Sequence, residues 1–331
     1  MKFAELIKKR VSIASLLFIG LCLISSASLS QDIYVSPGGS GDGSILSPTS
    51  LQSALDSART NGFDDTLYLQ QGTYDASTSG ANTFEYGAAS NDNMSVVISG
   101  GWNNDFSTQS TDPTLTLLDG GNNAPVVHIL ADANGVSYDF ELDTLTIQNG
   151  LSTTSHGAGI RAYTGTSGTA GMINLTVRNC MIRNNDAKTS GSYYGGGLYS
   201  NTYFEIYDST FDSNSAYSGA AIAVFDVPDG DLTLSPLIHN TTLDANDTIG
   251  GWQGSAVFNF VSLRVVSSAF TNNTGSGSPI YTHTNSSLDV SNSVFSGNRI
   301  VWWGSAISFW DAGGTISNSL FYDNVAGVSP G

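Results

Sequence analysis

Two short phrases alternate along the second half of the chain and constrain its fold more than any other feature. The first is an apolar residue, two others and Asn. It occurs at Ile182–Asn185, Phe211–Asn214, Leu243–Asn246, Phe270–Asn273, Phe295–Asn298 and Phe321–Asn324. The second is glycine, two small residues and an aliphatic one: GAGI at Gly157, GGGL at Gly195, GAAI at Gly219, GSAV at Gly254, GSPI at Gly277 and GSAI at Gly304. The asparagines lie 29, 32, 27, 25 and 26 positions apart. A near-regular period of this length belongs to a solenoid, in which each repeat stacks on the next to bury a common core.

Each period also carries alternating stretches such as INLTVRN, YFEIYDS, SLRVVSS and SLDVSNS, and no helical pattern. Three short strands and their turns fit in about 25 residues, and successive coils then lie ~4.8 Å apart. The spacing therefore predicts an all-β chain, a parallel β-helix with three strands per coil, right-handed by the general bias of parallel crossovers. Stacking would align Asn185, Asn214, Asn246, Asn273, Asn298 and Asn324 as a structural ladder at one corner. Their backbones are expected to take left-handed geometry and their amides to bond from coil to coil. The glycine phrase lets the backbone turn tightly before an aliphatic residue enters the core.

The N-terminus reads differently. A basic start, the apolar run VSIASLLFIGLCLI and a small-residue exit make residues 1–30 a signal peptide. Residues 31–90 are expected to form a cap with the first strands. There Leu51, Ala54, Leu55 and Ala58 at helical spacing follow a Thr49 or Ser50 N-cap. Residues 91–331 are the β-helix repeats. Their last phrase has no capping pattern after it, so the expectation is a truncated chain or an end covered by a partner.

Composition narrows the function. Loss of residues 1–30 removes four Lys/Arg and one Glu, leaving seven basic against 27 acidic residues, a balance of −20. Such a surface is a poor partner for nucleic acid, whose phosphates are bound by Lys and Arg. No later stretch is long and apolar enough to span a membrane as a helix. With Cys22 in the signal peptide, Cys180 is left without an intrachain partner and is expected to be a buried core thiol.

The opening YVS…LQSALDSA…DTLYLQQGTY resembles the N-terminal cap of pectin-lyase-like right-handed β-helix proteins. The alternating phrases resemble the repeats of the chlamydial polymorphic outer membrane proteins. The resemblance implies this fold and an exported surface or secreted protein, whereas the fold itself carries lyases, hydrolases, adhesins and coat proteins alike.

Several residues are candidates for chemistry. Pectate-lyase-like enzymes combine Ca²⁺-binding carboxylates with a basic residue, for which Arg178, Arg183 and Asp208 are the candidates here. Solvated outward charges are the competing reading. Asp226, Asp229 and Asp231 in DVPDGDL offer oxygen ligands suited to Ca²⁺. No other cofactor is expected, and the four scattered histidines argue against a zinc site. Two places before the repeat glycine stand Tyr193, Tyr217, Trp252 and Trp302. Two readings are open for them: a carbohydrate-binding edge, or packing over the corner beneath the insertions at 186–194 and 247–253. A second column, Tyr163, Phe225, Phe260 and Trp310, has gaps at Asn201 and His283 and reads as packing. The function these features favour is non-catalytic adhesion, with glycans or surface proteins as partners. The alternative is a Ca²⁺-dependent polysaccharide lyase.

Overall fold

Side chains alternate inward and outward along strands such as Asp64–Gln70, Ile173–Arg178 and Tyr203–Tyr207, and the ladders from Asp64 onward run parallel. The computed structural model describes residues 30–79, 82–87, 94–131, 137–164, 171–187, 192–225, 235–250, 253–302 and 304–327. The strands form a parallel β-helix. Among the described residues sheet A has ten strands, from Ser30–Val35 to Gly313–Ser317. Sheet B has nine, from Gly72–Asp75 to Leu320–Tyr322, and sheet D has eight, from Phe84–Gly87 to Ile307–Phe309. One coil runs through Tyr203–Tyr207 in sheet A, Thr210–Asp212 in sheet B and Ile222–Val224 in sheet D.

A fourth sheet adds to the three strands expected per coil. Sheet C contains five two-residue strands, beginning with Ser215–Ala216, each directly after a phrase asparagine. The cause is the asparagine itself. Asn185, Asn214, Asn246, Asn273 and Asn298 are fully buried. Asn214 Nδ2 donates to Asn246 Oδ1 at 3.1 Å and to the Ile182 carbonyl at 2.9 Å, and Asn214 Oδ1 accepts from the N–H and Nδ2 of Asn185 at 3.2 and 3.0 Å. Both donors and both acceptor sites of the amide are thus used. The pattern continues through Asn273 and Asn298 to Asn324, and Gly150 N–H donates to Asn185 Oδ1 at its other end. Holding each corner at fixed height keeps the next two residues in pairing distance.

The left-handed residue is not the ladder asparagine, contrary to expectation, but its predecessor. Asn184, Ser213, Ala245, Asn272 and Asp323 have φ of 52–54°. This frees the asparagine to turn its amide inward. A second ladder occupies the corner between sheets A and B. Cys180, Thr241, Ser268 and Ser293 donate backbone N–H to the hydroxyls of Ser209, Ser268, Ser293 and Ser319 of the next coil, at 3.1–3.2 Å. Those serine hydroxyls donate to the carbonyl two residues back.

Inside, sheet B stacks Ile147, Ile182, Phe211, Leu243, Phe270 and Phe295 in register. The rings of Phe270 and Phe295 lie 4.7 Å apart and within 6° of parallel. Helix α1, Leu51–Ala58, buries Leu51, Ala54, Leu55 and Ala58, and the Ser50 hydroxyl accepts from Ser53 N–H. From this helix Gln52 donates to the Glu85 carbonyl at 3.0 Å and accepts from its N–H at 2.9 Å. Glu85 lies on the edge strand of sheet D, so the glutamine amide satisfies backbone groups that an open edge would leave to another chain.

Candidate functional site

The outer face of sheet D is apolar over its middle coils, which is unusual for a solvent-facing sheet. The glycine phrase prepares it. Gly195 has φ of 68°, and a Cβ there would stand 2.3 Å from the Leu198 carbonyl oxygen. The turn is therefore restricted to glycine, and it delivers each coil to the same register. The first outward position of each strand is then Arg161, Tyr199, Ala223, Phe258 and Tyr281 in successive coils. Two residues further along lie Tyr163, Asn201, Phe225, Phe260, His283 and Trp310. Tyr199, Ala223, Phe258 and Tyr281 form a second hydrophobic cluster outside the coil, with Tyr163, Tyr194, Phe225 and Phe260 half-buried around it.

The second column stacks ring on ring. Phe225 and Phe260 lie 4.6 Å apart at 17°, and Phe260 and His283 lie 4.3 Å apart at 24°. The column is interrupted at Asn201. There His156, Arg161, Tyr163, Tyr199, Asn201, Phe225 and Phe260 line a cleft of about 410 Å³. The imidazole of His156 is sandwiched between Tyr194 and Tyr199, at 4.9 and 4.6 Å, and its Nδ1 accepts the Tyr194 backbone N–H at 3.1 Å. Arg161 lies over the Tyr163 ring, 5.0 Å from its centre. Among the described residues the Arg161 guanidinium makes no ion pair, and its Nε is buried without a hydrogen-bond partner.

Burial, with Arg161 as a second cause, pushes His128 and His156 down to about 4 from the usual 6.5. Both are neutral in the folded chain at physiological pH. Above pH 6.5 they are neutral in the unfolded chain as well and contribute no pH dependence. As pH falls from 6.5 towards 4 the unfolded chain takes up protons that the folded chain refuses, so stability drops across that window. Urea midpoints measured in steps from pH 7.5 to 4.5 should fall accordingly. The double substitution His128→Gln, His156→Gln should flatten part of that slope.

The sequence candidates are dispersed. Arg178 Nε pairs with Glu141 at 3.3 Å and the guanidinium lies over Tyr207, on the outer face of sheet A. Nearby, Glu205 accepts the hydroxyls of Tyr203 and Tyr207 at 2.7 and 2.8 Å. Asp139, Glu141, Asn174, Thr176, Tyr203 and Glu205 line a groove of about 520 Å³ there. Arg183 lies on sheet B instead, donating twice to Gln148 Oε1, and Asp208, at the corner between sheets A and B of the next coil, accepts from Asn240 Nδ2 at 2.6 Å. Asp226, Asp229, Asp231 and Trp252 lie outside the described residues. Tyr193 is half-buried against Ala158, Ala187, Ala216 and Ala220, Tyr217 is half-buried, and Trp302 is 68% exposed. His156 and Arg161 enter the cleft without having been singled out. The available signal was the gap at Asn201 in an otherwise aromatic column.

No protein-family model matches the chain, and no curated protein matches it in sequence. Among solved structures the crystal structure of pectate lyase Pel9A is similar, with a TM-score of 0.40 and 14% identity, covering 89% of this chain and 80% of that one. The parallel β-helix described above follows from the chain's own strand register.

Proposed function

We propose that this chain is an exported, non-catalytic β-helix that binds glycans through the outer face of sheet D, as a surface or adhesion protein. The observation that carries the reading is the aromatic strip along that face. Phe225, Phe260 and His283 stack in successive coils, and Trp310, 53% exposed, occupies the next position of the column. Aromatic rings aligned along an axis offer a sugar chain repeated apolar contacts at fixed spacing. The signal-peptide-like N-terminus and the repeat phrases support export to a surface.

A glycan array followed by titration of the retained glycans tests this. Trp310→Ala and Phe260→Ala should each weaken binding at least tenfold, as central aromatic contacts do. Trp310→Ala should lower the melting transition less than Phe260→Ala does, because Trp310 is the more exposed of the two. Unchanged binding in both variants, or no retained glycan at all, would remove the proposal. New unsaturated-uronate absorbance on pectate or alginate that depends on Ca²⁺ would establish a lyase instead.

A further inference from the structure

The interrupted column has a geometric consequence. Rings elsewhere in it repeat every coil, at 4.3–4.6 Å. Coils are spaced ~4.8 Å, so Tyr163 and Phe225, two coils apart, leave between them a space one ring high. Asn201 does not fill it. Its amide is committed to the backbone of the previous coil, accepting from Thr164 N–H at 2.8 Å and donating to the Thr164 carbonyl at 3.1 Å. The side chain therefore lies along the sheet like an extra strand residue. One face of Phe225 is covered by Phe260, and the rings of Tyr194 and Tyr199 flank it at 5.3 and 5.5 Å, tilted by 39° and 36°, so that none of them stacks on it in parallel except Phe260.

The charge at this place is equally specific. The seat contains one cation, Arg161, with no acidic partner among the described residues, and no carboxylate lines the cleft. The chain as a whole is strongly acidic, so a freely diffusing anion is repelled from most of its surface. A guanidinium held in a partly apolar cleft recognises a carboxylate by paired donors at little cost in ordering.

We propose that the space beside Asn201 is a binding site for a planar aromatic ring bearing a carboxylate. The ring completes the stack against Phe225, and the carboxylate meets Arg161. A cleft of about 410 Å³ holds one such ring with small substituents. This site shares Phe225 and Phe260 with the glycan strip but takes its ligand beside Asn201, away from Trp310, and the two readings are tested by different ligands.

The test uses the whole protein and three probes, benzoate, 4-hydroxybenzoate and indole-3-carboxylate, with 4-hydroxybenzamide as the uncharged control, titrated calorimetrically. At least one acid should bind, and 4-hydroxybenzoate at least tenfold more tightly than its amide. Arg161→Met should erase the preference for acid over amide. Asn201→Phe supplies the missing ring and should abolish binding of acid and amide alike. Phe225→Leu, which keeps an apolar side chain but removes the stacking face, should weaken all probes and serves as the second variant if Asn201→Phe does not fold. Failure of every acid to bind overturns the proposal while leaving the glycan array result standing. So does equal affinity for acid and amide, an unaltered preference in Arg161→Met, or full binding in folded Asn201→Phe.

Discussion

Replacing Asn246 with alanine is expected to lower the unfolding free energy by about 4 kcal/mol, measured by urea titration. The substitution removes the acceptor for the N–H and Nδ2 of Asn214, the donor to the Phe211 carbonyl and the donor to Asn273 Oδ1. Asn273 Oδ1 keeps one donor, the backbone N–H at position 246. Asn214 Nδ2 keeps its bond to the Ile182 carbonyl, but its second hydrogen, the Asn214 N–H and the Phe211 carbonyl each lose a partner in a fully buried corner, and a buried group left short of a hydrogen bond costs about 1–3 kcal/mol. No single ladder bond accounts for the effect, since a made hydrogen bond contributes only about 1 kcal/mol net. The loss is large because the site is fully buried and its hydrogen bonding saturated. A drop below about 1 kcal/mol would mean that water enters the corner, and that the ladder sets register more than stability.

Phe270→Ala should be of similar size, about 3–5 kcal/mol, as for other buried phenylalanines truncated to alanine. Phe270 is completely buried between Leu243 and Phe295 of the adjoining coils. Phe270→Leu restores the residue type found one coil earlier and should cost under about 1.5 kcal/mol. Coils contact only their neighbours, so the alanine cavity falls on one junction. Hydrogen exchange should show early loss of protection around 262–300, with coils near Ile160 affected least. Uniform loss along the whole chain would indicate a more cooperative solenoid than nearest-neighbour contacts provide.

The residues that point into the coil could be read from the sequence, and those that point outward largely could not. Stacking converts sequence period into spatial register, so the Phe211 and Asn214 series announce themselves at nearly constant spacing. The hydroxyl ladder through Ser209, Ser268 and Ser293 had the same period, but serine is abundant throughout this chain and the signal was lost among its copies. The left-handed position is filled by Asn184, Ser213, Ala245, Asn272 and Asp323, too varied to define a motif, because its requirement is on the backbone alone. Ala245 meets it without a side chain suited to it. The cleft was hidden for a different reason. Its parts come from a turn (His156), from strands (Arg161, Tyr163, Tyr199) and from the residues just after strands (Phe225, Phe260). Insertions of unequal length separate those parts, and the decisive feature is an aromatic residue missing at Asn201. Its meaning depends on the neighbours in adjoining coils.

Cys180 occupies a hydroxyl slot of the corner between sheets A and B. Its thiol donates to the Arg178 carbonyl at 3.2 Å and, by burial, is pushed up to about 12. A thiol in that state is invisible to alkylating and disulfide reagents, which attack the thiolate. It becomes reactive only when this corner opens. With Cys22 replaced by serine, the rate at which the protein consumes such a reagent is therefore a clock for opening of one middle coil, with the probe already in place. Read as a function of reagent concentration, it separates the equilibrium of opening from its rate at a single position along the solenoid.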